Sequence, residues 1–334
     1  MTACAGRGPA PERVARTARL RATVSPCAWA LLAAACSSPG AVEPTPLPAV
    51  PTRAPTAGDE LLALAPAGAD MVLELDLARL RRNAVSGPVL ARLADLEQSA
   101  RPALPRLDAL DALGSLSTGI FSELDAVLLV AYHVGEKRAV TITLARGQKP
   151  LGTDLGAGLS VLGPPQWVAR VRAVQRGDAG ALSADRPLMT LRTRAMPAKA
   201  EGGFLRAAGR FDFEAQVELA SRLDLDRVPR AISVWADIAD DFAIVSHLQG
   251  AEPGAGRALA DALGRLRDRL AQLPWIRRRY LHFTLRGADI SASGANARMT
   301  LVIGPTRLQR MMARLLKSLG AHTGAARATE QPPL

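Results

Sequence analysis

The chain has 334 residues, 48% of them hydrophobic, and carries 42 Lys and Arg against 31 Asp and Glu for a formal charge of +11. That apolar fraction excludes a wholly disordered chain, which would bury too little surface to offset the entropy of ordering. No glycine triplet or sustained heptad spans the sequence, so collagen and coiled-coil architectures are excluded as well. A globular fold remains, for which the length permits two or three domains.

Residues 1–23 hold Arg7, Arg13, Arg16, Arg19 and Arg21 against one acid, Glu12, and residues 24–35 hold no charge at all. A basic segment followed by a short apolar run has the layout of a secretory signal. The run is too short to span a bilayer, which takes roughly 20 apolar residues, and Pro26 shortens its helical part further. It ends in Leu32, Ala33, Ala34, Ala35, Cys36 and Ser37, which resembles a bacterial lipoprotein signal. The resemblance implies cleavage before Cys36 and lipidation of that cysteine as the first mature residue. Ala33 stands where that family prefers leucine, which sits one position early at Leu32. An ordinary cleaved signal and an uncleaved anchor stay open as alternatives. Ser37, where a retention aspartate is absent, implies sorting to the outer membrane.

Residues 37–58 contain Pro39, Pro44, Pro46, Pro48, Pro51 and Pro55. Proline at this density favours extended conformations that pack no core, so residues 36–58 read as a tether. All three cysteines, Cys4, Cys27 and Cys36, lie at or before the proposed cleavage point. The rest of the chain therefore has no disulfide framework, no cysteine metal site and no cysteine nucleophile. Loss of residues 1–35 would remove five Arg and one Glu, leaving 37 basic and 30 acidic residues, net +7.

Asp59 and Glu60 suit the positive end of a short helix holding Leu61, Leu62 and Leu64. Residues 71–77 alternate, with Met71, Leu73, Leu75 and Leu77 on one face, which predicts a strand with one wet side. Leucines at helical spacing follow at 90–96 and 104–113, broken by Pro102 and Pro105, giving two short helices. Residues 126–134 and 139–145 predict a hairpin turning over 135–138. Residues 147–186 lack sustained periodicity and read as irregular, and residues 203–219 suit a strand followed by a helix. Residues 232–238 and 242–248 alternate around Asp240 and Asp241, the clearest strand pair in the chain. Leu259, Leu263, Leu266, Leu270 and Leu273 form one stripe of an amphipathic helix over 255–273, ended by Pro274. Residues 280–285 and 298–303 read as strands. Pro305 opens a last helix whose core face is Leu308, Met311, Met312, Leu315 and Leu319. Residues 321–334, small and polar, read as a disordered tail.

The fold class is α+β: antiparallel sheet with hairpins, covered on one side by amphipathic helices. Two halves, 59–185 and 186–320, share an order of strand, helix and hairpin. Internal duplication would produce that order, and so would the general preference for short connections.

Little in the sequence points to catalysis. Gly156 and Gly158 lack the third glycine and the preceding strand of a dinucleotide fingerprint, and no Gly-Lys-Ser/Thr occurs, so no nucleotide cofactor is expected. His133, His247, His282 and His322 are scattered, with no zinc spacing. No Gly-x-Ser-x-Gly turn is present, and Ser246 and His247, as strand neighbours, point to opposite faces. Asp224, Asp226, Asp237, Asp240 and Asp241 are the one carboxylate concentration. They would serve an envelope hydrolase if two of them met across a cleft. Arg277, Arg278 and Arg279, set between Trp275 and Tyr280, form a patch suited to an anionic surface, or a solvated junction between helix and strand.

The segments from Ala195 to Phe213, Ile232 to Phe242 and Ile303 to Pro305, with Pro66 to Asp70 and Leu73 to Arg81, resemble a group of uncharacterised myxobacterial predicted lipoproteins. The likeness covers most of residues 59–320 and carries over no catalytic residues, metal or cofactor. With the amino-terminal signal, the expectation is an exported, lipid-anchored envelope protein, held to the membrane through Cys36, with a non-catalytic binding or scaffolding role toward an envelope protein or lipid; an exported chain rarely meets nucleic acid, so no such partner is expected. A carrier of hydrophobic cargo, with a concave apolar pocket, is the alternative binding role.

Overall fold

The computed structural model describes residues 56–99, 120–136, 138–200, 202–223, 228–273 and 282–329. Among them, one antiparallel sheet is built from β1 (Met71–Asp76), β2 (Leu124–Tyr132), β3 (Val140–Gly147), β4 (Thr153–Gly156), β5 (Leu159–Leu162), β6 (Leu205–Arg210), β7 (Ala231–Ile238), β8 (Phe242–Gln249), β9 (Asp289–Ser293) and β10 (Asn296–Ile303). The order across the sheet is β4-β5-β3-β2-β1-β6-β7-β8-β10-β9. Counted outward from the centre, the first five strands run β1, β2, β3, β5, β4 and the last five run β6, β7, β8, β10, β9. The neighbour order is the same on both sides. β1 and β6 meet antiparallel with Leu73 opposite Ala207. A two-fold rotation normal to the sheet therefore relates the two strand orders, and the sheet runs unbroken through its centre.

The helices are α1 (Ala57–Leu64), α2 (Leu77–Arg82), α3 (Gly87–Ser99), α4 (Ile120–Glu123), α5 (Pro165–Gln175), α6 (Arg186–Arg194), α7 (Phe213–Leu223), α8 (Ala255–Gln272), α9 (His282–Arg286) and α10 (Pro305–Thr329). Their starts follow local chemistry. Thr56 accepts a hydrogen bond from the Asp59 amide while the Asp59 carboxylate accepts one from the Thr56 amide at 2.7 Å, a reciprocal cap for α1. Asp76 accepts from the Arg79 amide at 2.7 Å and Asp185 from the Leu188 amide at 3.1 Å, capping α2 and α6.

Alternation along the strands divides the core between the two faces of the sheet. On one face Leu73, Ala207, Val234, Ile244 and Met299 meet Leu259 and Leu263 of α8, Leu308 of α10 and Ala215 of α7. On the other, Val72, Leu128, Val130, Ile142 and Leu144 meet Leu61 and Leu62 of α1, Trp167 and Val171 of α5, and Leu188 and Leu191 of α6. Tyr132 closes this second core: its hydroxyl donates to the Pro66 carbonyl at 2.8 Å, and its ring centroid lies 4.0 Å from that of Trp167. Burial pushes its phenol well above the ordinary range.

The α+β architecture and both predicted hairpins are present, and five differences from the sequence reading have physical causes. Helices cover both faces of the sheet rather than one, because the connections after β5 and after β10 pack on opposite faces. On the predicted wet side of residues 71–77, Val72 and Glu74 are buried and Asp76 half-buried, since helices pack on that face of the central strand, and Leu77 already belongs to α2. The stretch 147–186 holds β4, β5 and α5, elements too short for periodicity to reveal. His282–Arg286 is a helical turn where a strand was expected; a short apolar run fits either form. The last helix runs on to Thr329, through Ala321, Ala325, Ala326 and Ala328, good helix formers uninterrupted by proline. The helix expected at 104–113 lies outside the described residues.

Candidate functional site

The polar centre of the molecule is built around Arg192. Leu188, Leu191 and Arg192 are the buried positions of α6, so an arginine occupies a place on the helix face that periodicity reserves for an apolar side chain. It faces Glu74 on β1, and the two are 7% and 6% exposed. The guanidinium grips the carboxylate with two hydrogen bonds, from Nε to Oε1 and from Nη2 to Oε2, the latter at 2.7 Å. Its Nη1 lies 2.7 Å from Oδ1 of Asp59. One planar fork thus ties α1, β1 and α6 together. Arg206, also buried, stands opposite Glu74 in the β1–β6 register. Gly58 passes over the pair so closely that a Cβ there would lie 2.4 Å from Glu74 Oε2.

The electrostatics follow from burial and charge together. Burial opposes ionisation of Asp59, but the Arg192 charge and the hydrogen bonds from Thr56 outweigh it and hold the carboxyl below its ordinary value. Burial likewise opposes the charge on Arg192, and the hydrogen bonds and charges of Glu74 and Asp59 overcome it, leaving the guanidinium still harder to deprotonate. The Glu74 carboxylate is thus buried and held by Arg192 through both of its oxygens. The arrangement fixes the packing of two helices on the central strand.

Of the aspartates named from the sequence, Asp237, Asp240 and Asp241 are among the described residues. Asp237 accepts from Arg79 Nε at 2.7 Å and Nη2 at 2.6 Å. Asp240 and Asp241 shape the turn between β7 and β8, where the Ala239 amide donates to the Asp241 carbonyl at 2.9 Å. Asn83 Nδ2 donates to the carbonyls of Ile238 and Ala239, at 3.1 Å each, binding the same turn to the segment after α2. Asp224 and Asp226 lie outside the described residues. Among the described residues no group of three or more His, Cys, Asp or Glu side chains could hold a metal ion.

The histidines fall on different elements. His133 lies in the turn after β2 with Nδ1 3.1 Å from Glu136 Oε1. His247, half-buried on β8, has a pKa lowered to about 4, by burial first and then by the charges of Arg194 and Arg298. Ser246 is buried on the opposite face of that strand, as its neighbour position requires. His282 stacks on Phe283, with ring centroids 4.0 Å apart. His322 belongs to α10. Cys36, Arg277, Arg278 and Arg279 lie outside the described residues.

Sequence reasoning passed over Glu74, Arg79 and Arg192. Two signals were available: an acid in the middle of an alternating apolar run, and an arginine four residues after Leu188 on an apolar helix face. Arg79 and Asp237 are 158 residues apart, and no local pattern links them.

No family model matches the chain, and no curated protein matches it. Among solved structures, crystal form I of TP0453 is similar at 10% identity and a TM-score of 0.35, with 77% of this chain and 98% of that chain covered. Crystal form III of TP0453 gives 10% identity and a TM-score of 0.36, over 76% and 97%.

Proposed function

We propose that the chain is an exported envelope protein, anchored by lipid on Cys36 at the outer membrane, whose folded body acts by binding or scaffolding rather than by catalysis. The observation that carries this reading is the run from Leu32 to Ser37 behind a basic segment and ahead of a proline-rich tether. Among the described residues no helix is long and apolar enough to cross a membrane. Each buried methylene contributes about 0.8 kcal/mol, and the three acyl chains that the lipoprotein likeness implies are ample for lasting attachment. The binding role is favoured over the hydrolase because Asp237 is committed to Arg79 and Glu74 to Arg192. A surface partner is favoured over enclosed cargo because the apolar side chains of helices and sheet pack against one another on both faces.

Metabolic labelling of cells with a fatty-acid analogue tests the anchor. Label on the native protein and none on the Cys36→Ser variant is the expected result; equal labelling of the two would overturn it. Crosslinking in intact cells, followed by identification of the captured molecule, then names the partner.

A further inference from the structure

The outer face of α10 is electrostatically one-sided. Arg307, Arg310, Arg314 and Lys317 are all exposed, and their spacings of three, four and three residues keep them on one side of the helix. Over that span the helix rises about 15 Å. Leu308, fully buried, and the partly buried Met311 and Met312 belong to the core that holds the helix to the body. Pro305–Thr329 contains no Asp, no Glu, and no Phe, Trp or Tyr. The other long helix on this face of the sheet, α8, differs in mixing Asp261 and Asp268 with its arginines.

We propose that this stripe of α10 is a docking surface for an anionic phospholipid bilayer. Three observations choose that partner over others of the same charge. The stripe is straight and all of one sign, which suits a continuous plane of negative charge. It offers no aromatic ring for stacking, which single-stranded nucleic acid binding uses. It also has no large apolar anchor among its cations, which the centre of a protein interface needs; Ala313 is the exposed apolar residue between them. The apolar face of α10 is already used in the core, so contact is by charge at the headgroup level and not by insertion. The proposal rests on the envelope reading to bring the protein to a membrane. Twenty residues of chain from Cys36 to Thr56 reach at most about 70 Å, enough for the body to turn this face toward the bilayer.

The test uses the chain from residue 36 onward carrying Cys36→Ser, which keeps every described element and has no acyl group. Failure of the lipidation reading therefore leaves its outcome intact. Cosedimentation is measured with phosphatidylcholine vesicles, alone and with about 30% phosphatidylglycerol, at low salt and at about 0.5 M salt. Partitioning onto the anionic vesicles alone, suppressed by salt, is expected. Each cation removed should weaken it about fivefold, and Arg307→Gln/Arg310→Gln/Arg314→Gln/Lys317→Gln by more than a hundredfold, while lysine in place of the three arginines preserves it. Unchanged circular dichroism shows that the variants fold. The proposal is overturned if the quadruple variant still partitions, if phosphatidylcholine alone binds as well, if Arg277→Gln/Arg278→Gln/Arg279→Gln abolishes partitioning and the α10 variant does not, or if the stripe binds duplex DNA more tightly than vesicles.

Discussion

Arg192 and Glu74 show what a buried charge pair costs and fixes. Each is tolerated inside the molecule because the other is there, with Asp59 taking the remaining face of the guanidinium. Glu74→Met should therefore lose about 3–5 kcal/mol in chemical denaturation, because it takes the buried carboxylate from Arg192 and leaves that cation the partly exposed Asp59. Glu74→Met/Arg192→Met should lose much less than the sum of the single changes, and additive losses would show that the pair does not interact. Two titrations are separable at this scale. Asp59 has a depressed pKa, so its contribution is present above the unfolded value of 3.8 and disappears as pH falls through the lower folded value. His247 runs through a different window: the unfolded chain takes up a proton near 6.5 that the folded one refuses until about 4. Stability should rise with pH across that interval, and His247→Gln should flatten this part of the profile. An unchanged slope would place the histidine in solvent.

Among the elements, α8 carries its own internal control. A Cβ on Gly256 would lie 2.3 Å from the Asn296 carbonyl oxygen and 2.7 Å from that of Gly294, backbone atoms at the start of β10 and in the turn before it. Gly264, in the same helix, would meet nothing within 4 Å. Alanine is preferred over glycine in a helix interior by roughly 1 kcal/mol. Gly264→Ala should therefore stabilise by about that much, while Gly256→Ala should destabilise because the clash with rigid backbone exceeds the propensity gain. Thermal unfolding of both variants decides it; equal shifts would mean that α8 does not press on that turn. Elements of this kind were legible in the sequence. The alternation of 232–238 and 242–248 and the leucine stripe of α8 are each long enough to complete several periods. β4 and β5, at four residues each, complete too few to register. α9 presents an apolar run that helix and strand share, and only its packing against α8 settles the form. The candidate site was less legible than the fold, because Glu74 with Arg192 and Arg79 with Asp237 are joined by topology and not by spacing.

At the scale of the whole molecule, the central fact is that β1 and β6 join two strand sets of identical order. The cores do not respect the join. Met71, Leu73 and Leu75 pack with the later strands, and Ala208 and Ala231 with the earlier ones. Unfolding should therefore be a single transition. Fluorescence from Trp167 in one half and Trp235 in the other, each observed with the remaining tryptophans replaced by phenylalanine, should give coincident urea midpoints; separated midpoints would mean that the halves unfold independently. Repetition of strand order was visible in the sequence only as a rough echo, since side chains diverge where backbone topology does not. The envelope assignment draws on the amino-terminal segment and gains nothing from this symmetry. Intact mass spectrometry of the protein from its native cells tests that assignment most directly. A membrane-bound polypeptide beginning at a triacylated Cys36 is the predicted result; a cytosolic chain that keeps residues 1–35 and carries an unmodified Cys36 would contradict it.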